Sequence, residues 1–520
     1  MSTGVDKRMR LAHNEKCVCT ERRGARRLLF NSLDYLIFFP IVFFIYYVIP
    51  KRFRYIWLLA ASYFFYGCWN AQYALLMLTS TLITFASGLA IHHFRKVGKP
   101  GLCKASVAVS FGLNLAILVF FKYGNFLGEN INSLLTALGL GWQIGRFDIL
   151  LPVGISFYTF QALGYTMDVY RETIPAERNV AKYALFVSFF PQLVAGPIER
   201  SKNLLMQIKE PKDFDPDHAR RGLVLILWGL FIKVVVADNF ANVVNAVYAS
   251  YMDYTGVEIC VATILFAFQI YCDFAGYTYI ARGSAEILNV QLMDNFNCPY
   301  LASSVADFWR RWHISLTTWF RDYLYFPLGG NRKGKARKYL NTMIVFLVSG
   351  LWHGANWTFV VWGALNGAII VISEITKPLR DKVKSLLHIS TKVFSYKLFQ
   401  RVLTFLLINI TWVFFRAQDL PTAWSMLTRV ATDLHLSELL TDQIFGMFYN
   451  TQVIVLILFS LLVLLGVDVM KYRGTDVVGW LGGQNTVFRW LVYCGFILII
   501  IVFGVYGKLF TQTQFIYFQF

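Results

Sequence analysis

Long apolar runs separated by short charged loops dominate the chain. Runs long enough to cross or nearly cross a bilayer fall at about 29–49, 55–69, 71–91, 105–121, 222–237, 257–273, 355–375, 400–415, 451–470 and 488–506, with shorter ones at about 150–166, 183–196 and 339–351. A full crossing takes about 20 apolar residues, so the short runs predict re-entrant or half-crossing helices. Non-helical backbone at membrane depth is tolerated only where it lines a cavity or is buried in protein, so these interruptions mark where a site can lie. The pattern predicts an all-α polytopic membrane protein with no second soluble domain and no internal repeat.

Composition sharpens this picture. Of 520 residues, 57% are hydrophobic and 15% charged, against roughly 25% charged in a soluble domain. The net charge of +19 is carried by short basic clusters between apolar runs. That distribution fits positive-inside topology and contact with anionic membrane lipid, and excludes nucleic acid as the partner. The eight cysteines (17, 19, 68, 103, 260, 272, 298, 494) contain no CxxC pair, so no metal site is expected.

The basic clusters 332–338, 377–401 and 471–473 belong on the cytoplasmic side, and the acidic loop 417–450 outside. Crossings at 400–415, 451–470 and 488–506 alternate consistently between them and put the C-terminus outside. The N-terminal half gives two conflicting signals. Basic loops at Lys51–Arg54 and His92–Lys104 place the N-terminus outside, yet residues 5–27 hold eight Lys/Arg. Residues 1–28 read as a basic extension, 29–510 as the membrane domain and 511–520 as an extracellular aromatic tail. No small-residue cleavage site closes the run after residue 28, which reads as an anchor.

The densest polar cluster lies between apolar segments at 306–363. His353 falls at the apex of a hairpin, since helix 339–351 rises roughly 20 Å from the basic loop and helix 355–375 returns to it. Gly350 and Gly354 flank it and permit close helix approach. Such a histidine suits a general base acting on a hydroxyl, or a structural histidine bonded to a backbone carbonyl. His313 lies on a Trp-rich amphipathic stretch with Trp309 at i−4 on the same face. Arg310 and Arg311 either neutralise phosphate or pair with Asp307, and the stretch equally suits an interfacial helix.

The arrangement Phe308-Trp309-Arg310-Arg311-Trp312-His313, then Arg321-Asp322-Tyr323-Leu324-Tyr325 with Pro327-Leu328-Gly329-Gly330-Asn331-Arg332, then Trp352-His353-Gly354 resembles the membrane-bound O-acyltransferases. The similarity is strongest to their bacterial branch, which acetylates alginate and peptidoglycan or transfers D-alanine to teichoic acid. Supporting matches are 152–161, 190–198 and Asp273-Phe274-Ala275-Gly276-Tyr277, with Cys272 where an aromatic is expected. The resemblance spans about 29–510. It implies a ring of transmembrane and re-entrant helices around a central tunnel, with His353 as the catalytic histidine and His313 as its second histidine. Trp309, Arg310, Arg311, Trp312, Arg321, Asp322, Trp352 and Asn356 then become substrate and tunnel residues, and Asn356, one turn on, a group that orients His353.

The implied reaction moves an acyl group, acetyl first, from a cytoplasmic thioester (acetyl-CoA or an acyl carrier protein) to a hydroxyl of a cell-surface polysaccharide. The expected partners are an extracellular or periplasmic esterase-like SGNH acetyltransferase and the glycan, with no bound cofactor. Arg332, Lys333, Lys335 and Arg337 would receive the anionic donor or serve only as a topology signal. Two other readings stand beside this one: D-alanyl transfer, and a translocator of lipid-linked sugars built on interrupted helices. The last residues, Phe515 to Phe520, resemble the aromatic signature of a small peptide that accompanies D-alanylation. That resemblance makes Tyr517 a candidate covalent acyl relay, against an aromatic tail anchored at the headgroups.

Overall fold

The computed structural model describes residues 28–148, 151–194, 196–448, 451–506 and 515–516. Tyr517 and most of the basic extension lie outside these residues. Among the described residues all regular structure is helical, and eight helices are long and apolar enough to cross a membrane.

The helix Gly256–Ile287 runs through the middle, buried along most of its 32 residues. Against it lies the continuous segment Pro216–Ala249. Glycines seven apart on each partner set this contact: a Cβ on Gly229 would stand 2.7 Å from the Gly276 carbonyl oxygen, and one on Gly283 2.4 Å from that of Gly222. Small residues let the backbones touch where lipid supplies no hydrophobic drive between helices.

Several apolar runs underestimate their helices. The run 105–121 is the middle of Pro100–Ala137, 257–273 lies within Gly256–Ile287, and 339–351 within the 20-residue helix Gly334–His353. Apolar length reports contact with lipid. These helices continue through polar residues that are solvated beyond the bilayer or paired inside the protein. The half-crossing expectation for 339–351 is therefore corrected to a helix of about 30 Å. Ile155–Tyr170 and the short, buried pair Val180–Ser188 and Phe190–Leu193 are not among the eight helices long and apolar enough to cross.

The hairpin at 353 forms as expected. Gly334–His353 packs on Trp357–Ile375 through Gly350 and Gly363, whose Cβ atoms would each stand 2.3 Å from a carbonyl oxygen of the other helix, Phe359 and Phe346 respectively. Of the two readings of the tail, the described residues favour the relay, which needs the tail to fold back, over the headgroup anchor. Phe515 and Ile516 are fully buried, folded back against the central helix.

Gly350→Ala should therefore cost about 1–3 kcal/mol by overpacking, despite the better helix propensity of alanine. Thermal unfolding in detergent reads this as a lowered midpoint. Gly466→Ala is the control, because nothing lies within 4 Å of its added methyl, and it should leave the midpoint unchanged or raise it.

Candidate active site

The helix Gly334–His353 ends inside the protein, and the chain turns extended at Gly354. The last carbonyls of a helix have no intrahelical partner. Here they are met from one π-helical turn, Val119–Tyr123. Lys122 Nζ donates to the carbonyls of Trp352 at 2.6 Å and His353 at 3.2 Å, and the Tyr123 hydroxyl donates to that of Leu351 at 2.6 Å. A cation at a helix C-terminus also meets the negative end of the macrodipole. Gly354 is tight against the hairpin, since a Cβ there would sit 2.2 Å from the Phe359 ring.

His353 is 4% exposed and His313 1%. The His353 ring meets Trp362 at 5.0 Å and Phe415 at 5.4 Å, both edge to face, and the His313 ring centroid lies 6.4 Å away. His313 stands at a break between the helices Val305–Arg311 and Ile314–Phe320, with left-handed backbone at φ 45°. Asn295 holds that break. Its Oδ1 accepts from the Ser315 backbone N–H at 3.2 Å and from the Ser315 hydroxyl at 2.9 Å, and lies 3.2 Å from His313 Nδ1. Phe274, Trp352 and Phe157 wall the imidazole at 4.8, 5.8 and 6.2 Å.

The break separates Trp309 from His313, which do not share a helical face as expected. Trp309 instead donates from Nε1 to Asn366 Oδ1 at 3.0 Å and packs on Trp362. Trp312 is buried between Phe308 and Trp412. Arg311 pairs with Asp307 at 3.1 Å, whereas Arg310 is exposed and donates to the Ala306 carbonyl. Asn356 does not orient His353. Its Oδ1 caps the return helix by accepting from the Thr358 N–H at 3.0 Å, and its Nδ2 donates to the Gln418 carbonyl.

Trp352 stays with the histidines and joins them to a stacked column, Phe160 on Trp319 at 4.0 Å. At the far end of that column is a polar group: Arg200 pairs with Asp322 at 3.0 Å, and the Tyr323 hydroxyl donates to Asp168 at 2.6 Å. Arg321 lies there too, exposed and paired with Asp322. In the basic loop Arg332, Lys333 and Lys335 are exposed, and Arg337 donates to the Leu328 carbonyl.

Two buried imidazoles within a wall of aromatic rings can take a proton from a hydroxyl in a space that excludes water. Sequence reasoning missed the residues that hold them. Lys122 was hidden as the end of an apolar run, and its signal was a cation deep inside 38 residues of continuous helix. Asn295 carried no signal beyond polarity.

Residues 172–416 match the model of the membrane-bound O-acyltransferase family. A probable alginate O-acetylase of Pseudomonas putida is 37% identical over 434 residues, 82% of this chain and 85% of that protein. The peptidoglycan O-acetyltransferase of Helicobacter pylori is 34% identical over 77% and 79% of the two chains. A teichoic acid D-alanyltransferase of Bacillus subtilis is 25% identical over 45% of this chain and 61% of its own.

Lys122→Met should release the Trp352 and His353 carbonyls. Losing a hydrogen bond from a charged donor costs about 1.5–3 kcal/mol, read as a fall in the thermal midpoint. Mass spectrometry should also find His353 modified faster by diethyl pyrocarbonate. Lys122→Arg should keep most of both properties, because it keeps the cationic donor.

Proposed function

Because the chain belongs to the membrane-bound O-acyltransferase family, we propose that it moves an acyl group, acetyl above all, from a cytoplasmic thioester to hydroxyls of a cell-surface polysaccharide. The chain is a multi-pass membrane O-acyltransferase, and the relatives named for acetylation cover far more of it than the one named for D-alanylation. The observation that carries the reading is the pair of buried histidines 6.4 Å apart at the inner end of the helix Gly334–His353, whose other end bears the basic loop. No relative bears a translocator name among those described, and that reading finds no support.

In the proposed reaction His353 takes the proton of the attacking hydroxyl. The oxygen forms its bond to the thioester carbonyl carbon, the C–S bond breaks, and the thiolate leaves and is reprotonated. The thioester is already activated, so the protein supplies a base, alignment and dryness. His313, 6.4 Å from His353, aligns the reacting groups. The aromatic column of Phe160, Trp319 and Trp352 suits the thread of a thioester arm towards the histidines. Arg332, Lys333, Lys335 and Arg337 suit the phosphates of coenzyme A or a carrier protein.

The proposed setting is the plasma or inner membrane with the basic loop inside. The first acceptor is proposed to be Tyr517, whose phenol would hold the acyl group as an ester until an extracellular SGNH-type transferase passes it to the glycan. Supporting this, Phe515 and Ile516 are buried, and the Phe515 ring lies 5.8 Å from that of Phe274, which in turn lies 4.8 Å from His313. Splitting one hard transfer into two easier ones is the gain of a covalent relay.

His353→Ala should lower surface-glycan O-acetylation by about 10²–10⁴-fold, the usual loss for a positioned base, with membrane yield unchanged. Wild-type acetylation in a well-expressed variant would sink the assignment. Tyr517→Phe keeps the ring and removes the oxygen, so acetylation should vanish, and normal acetylation would reduce the tail to an anchor.

A further inference from the structure

Beyond Phe274, the stretch Asp273-Phe274-Ala275-Gly276-Tyr277 has no part in the chemistry above, yet it carries a charge at the centre of the longest buried helix. Lys233 Nζ lies 2.7 Å from Asp238 Oδ1 and 2.5 Å from Asp273 Oδ1, with all three side chains at most 5% exposed. One carboxylate suffices to neutralise the lysine. A second buried carboxylate is costly unless other donors meet it. The Ile516 backbone N–H is such a donor, giving 2.7 Å to Asp273 Oδ2.

The neighbours of Asp273 converge on the same segment. The Phe515 ring lies 4.6 Å from that of Tyr277 and 5.8 Å from that of Phe274, and Phe274 sits 4.8 Å from His313 on its other side. Gly276 has no side chain where one would strike Lys233, since a Cβ there would stand 2.8 Å from that of the lysine. This lets the lysine lie against the central helix. The same turn of 231–237 holds the chain leading to the segment, for the Val505 N–H donates to the Val234 carbonyl at 2.9 Å.

We propose that Asp273 to Tyr277 form a receptor for the 515–516 segment, with Asp273 a positioning residue that fixes this segment beside the histidines. The carboxylate is required for a reason of donors and acceptors. Lys233 occupies one oxygen and the Ile516 N–H the other. An amide in its place would have to turn its own NH₂ towards one of two donors. The role of the clamp in acyl transfer rests on the function proposed above; the clamp itself does not.

The test uses the full chain in membranes, with photoreactive p-benzoylphenylalanine at 515 and crosslinks to the peptide Gly256–Ile287 read by mass spectrometry. Ile516→Pro removes the N–H and leaves the charged triad intact, whereas Ile516→Ala keeps the N–H. Asp273→Asn and Asp238→Asn each remove one negative charge, but only the first takes the charge from the bond to the Ile516 N–H and turns an NH₂ towards that N–H or towards Lys233. Losing a charge-assisted bond predicts a fall in crosslinking of about tenfold or more for Ile516→Pro and Asp273→Asn. Ile516→Ala and Asp238→Asn should stay within about twofold of the parent, below the weakest loss of such a bond.

Undiminished crosslinking in Ile516→Pro overturns the proposal. So does an Asp238→Asn loss equal to that of Asp273→Asn, which would mark the triad as charge balance alone. Should Asp273→Asn fail to fold, the proline and alanine pair decides the matter. Glycan O-acetylation is measured in the same cells without the photoreactive residue. Intact crosslinking with no acetylation in the parent would sink the transfer reading and leave the clamp standing.

Discussion

Lys122 and Tyr123 reach the carbonyls of Leu351, Trp352 and His353 from one turn of a neighbouring helix. Without them the helix Gly334–His353 would end on bare carbonyls far from water, which membrane interiors do not tolerate. Much of the centre follows from that contact. The segment Pro100–Ala137 must pass beside the end of the histidine helix, and the chain after His353 must turn at once, through a glycine that leaves room for Phe359. The backbone of His353 is thereby held at a fixed depth, and the side chain inherits that position.

The aromatic wall does the rest of the positioning. Trp352, Trp362 and Phe415 meet the His353 ring edge to face, and Phe274 meets His313 in the same way. Edge-to-face contacts fix ring orientation as well as distance. The tryptophan Trp309 is itself tied by a hydrogen bond to buried Asn366, which donates in turn to the Trp362 carbonyl. Rigid rings keep an acyl group away from water, and polar ties stop the rings from sliding. For acyl transfer both matter, because an activated acyl group that meets water is lost to hydrolysis.

The hairpin around His353 was legible because two signals coincided: a basic loop at one end, and glycines on either side of a histidine between apolar runs. His313 was legible only through its Trp-rich motif, and its geometry was not. Helical periodicity placed Trp309 and His313 on one face, but the chain breaks between them, because Asn295 bonds the Ser315 N–H and hydroxyl and stabilises a left-handed residue. Asn356 was misread for a related reason. An asparagine one turn past a histidine on a continuous helix could face it, but this one starts the next helix and caps it. Both errors come from local side-chain to backbone bonds that compete with helix continuation. Such bonds leave no periodic trace.

Polar groups at depth show a common device that apolar patterning cannot display. The described residues contain three π-helical segments, Val119–Tyr123, Phe231–Ala237 and Arg321–Tyr325. The first delivers Lys122 and Tyr123 to the end of the histidine helix. The second delivers Lys233 to Asp238 and Asp273. The third delivers Asp322 to Arg200 and Tyr323 to Asp168. A wide turn shifts the register of the side chains that follow it. A residue on the lipid-facing stripe of an unbroken helix is thus turned inward without ending the helix. In lipid this matters more than in water, because a break would expose backbone groups that nothing solvates. In the first two segments the charge is carried within an intact helix, Pro100–Ala137 or Pro216–Ala249, and brought to its partner by one added residue per turn, whereas the third closes its helix.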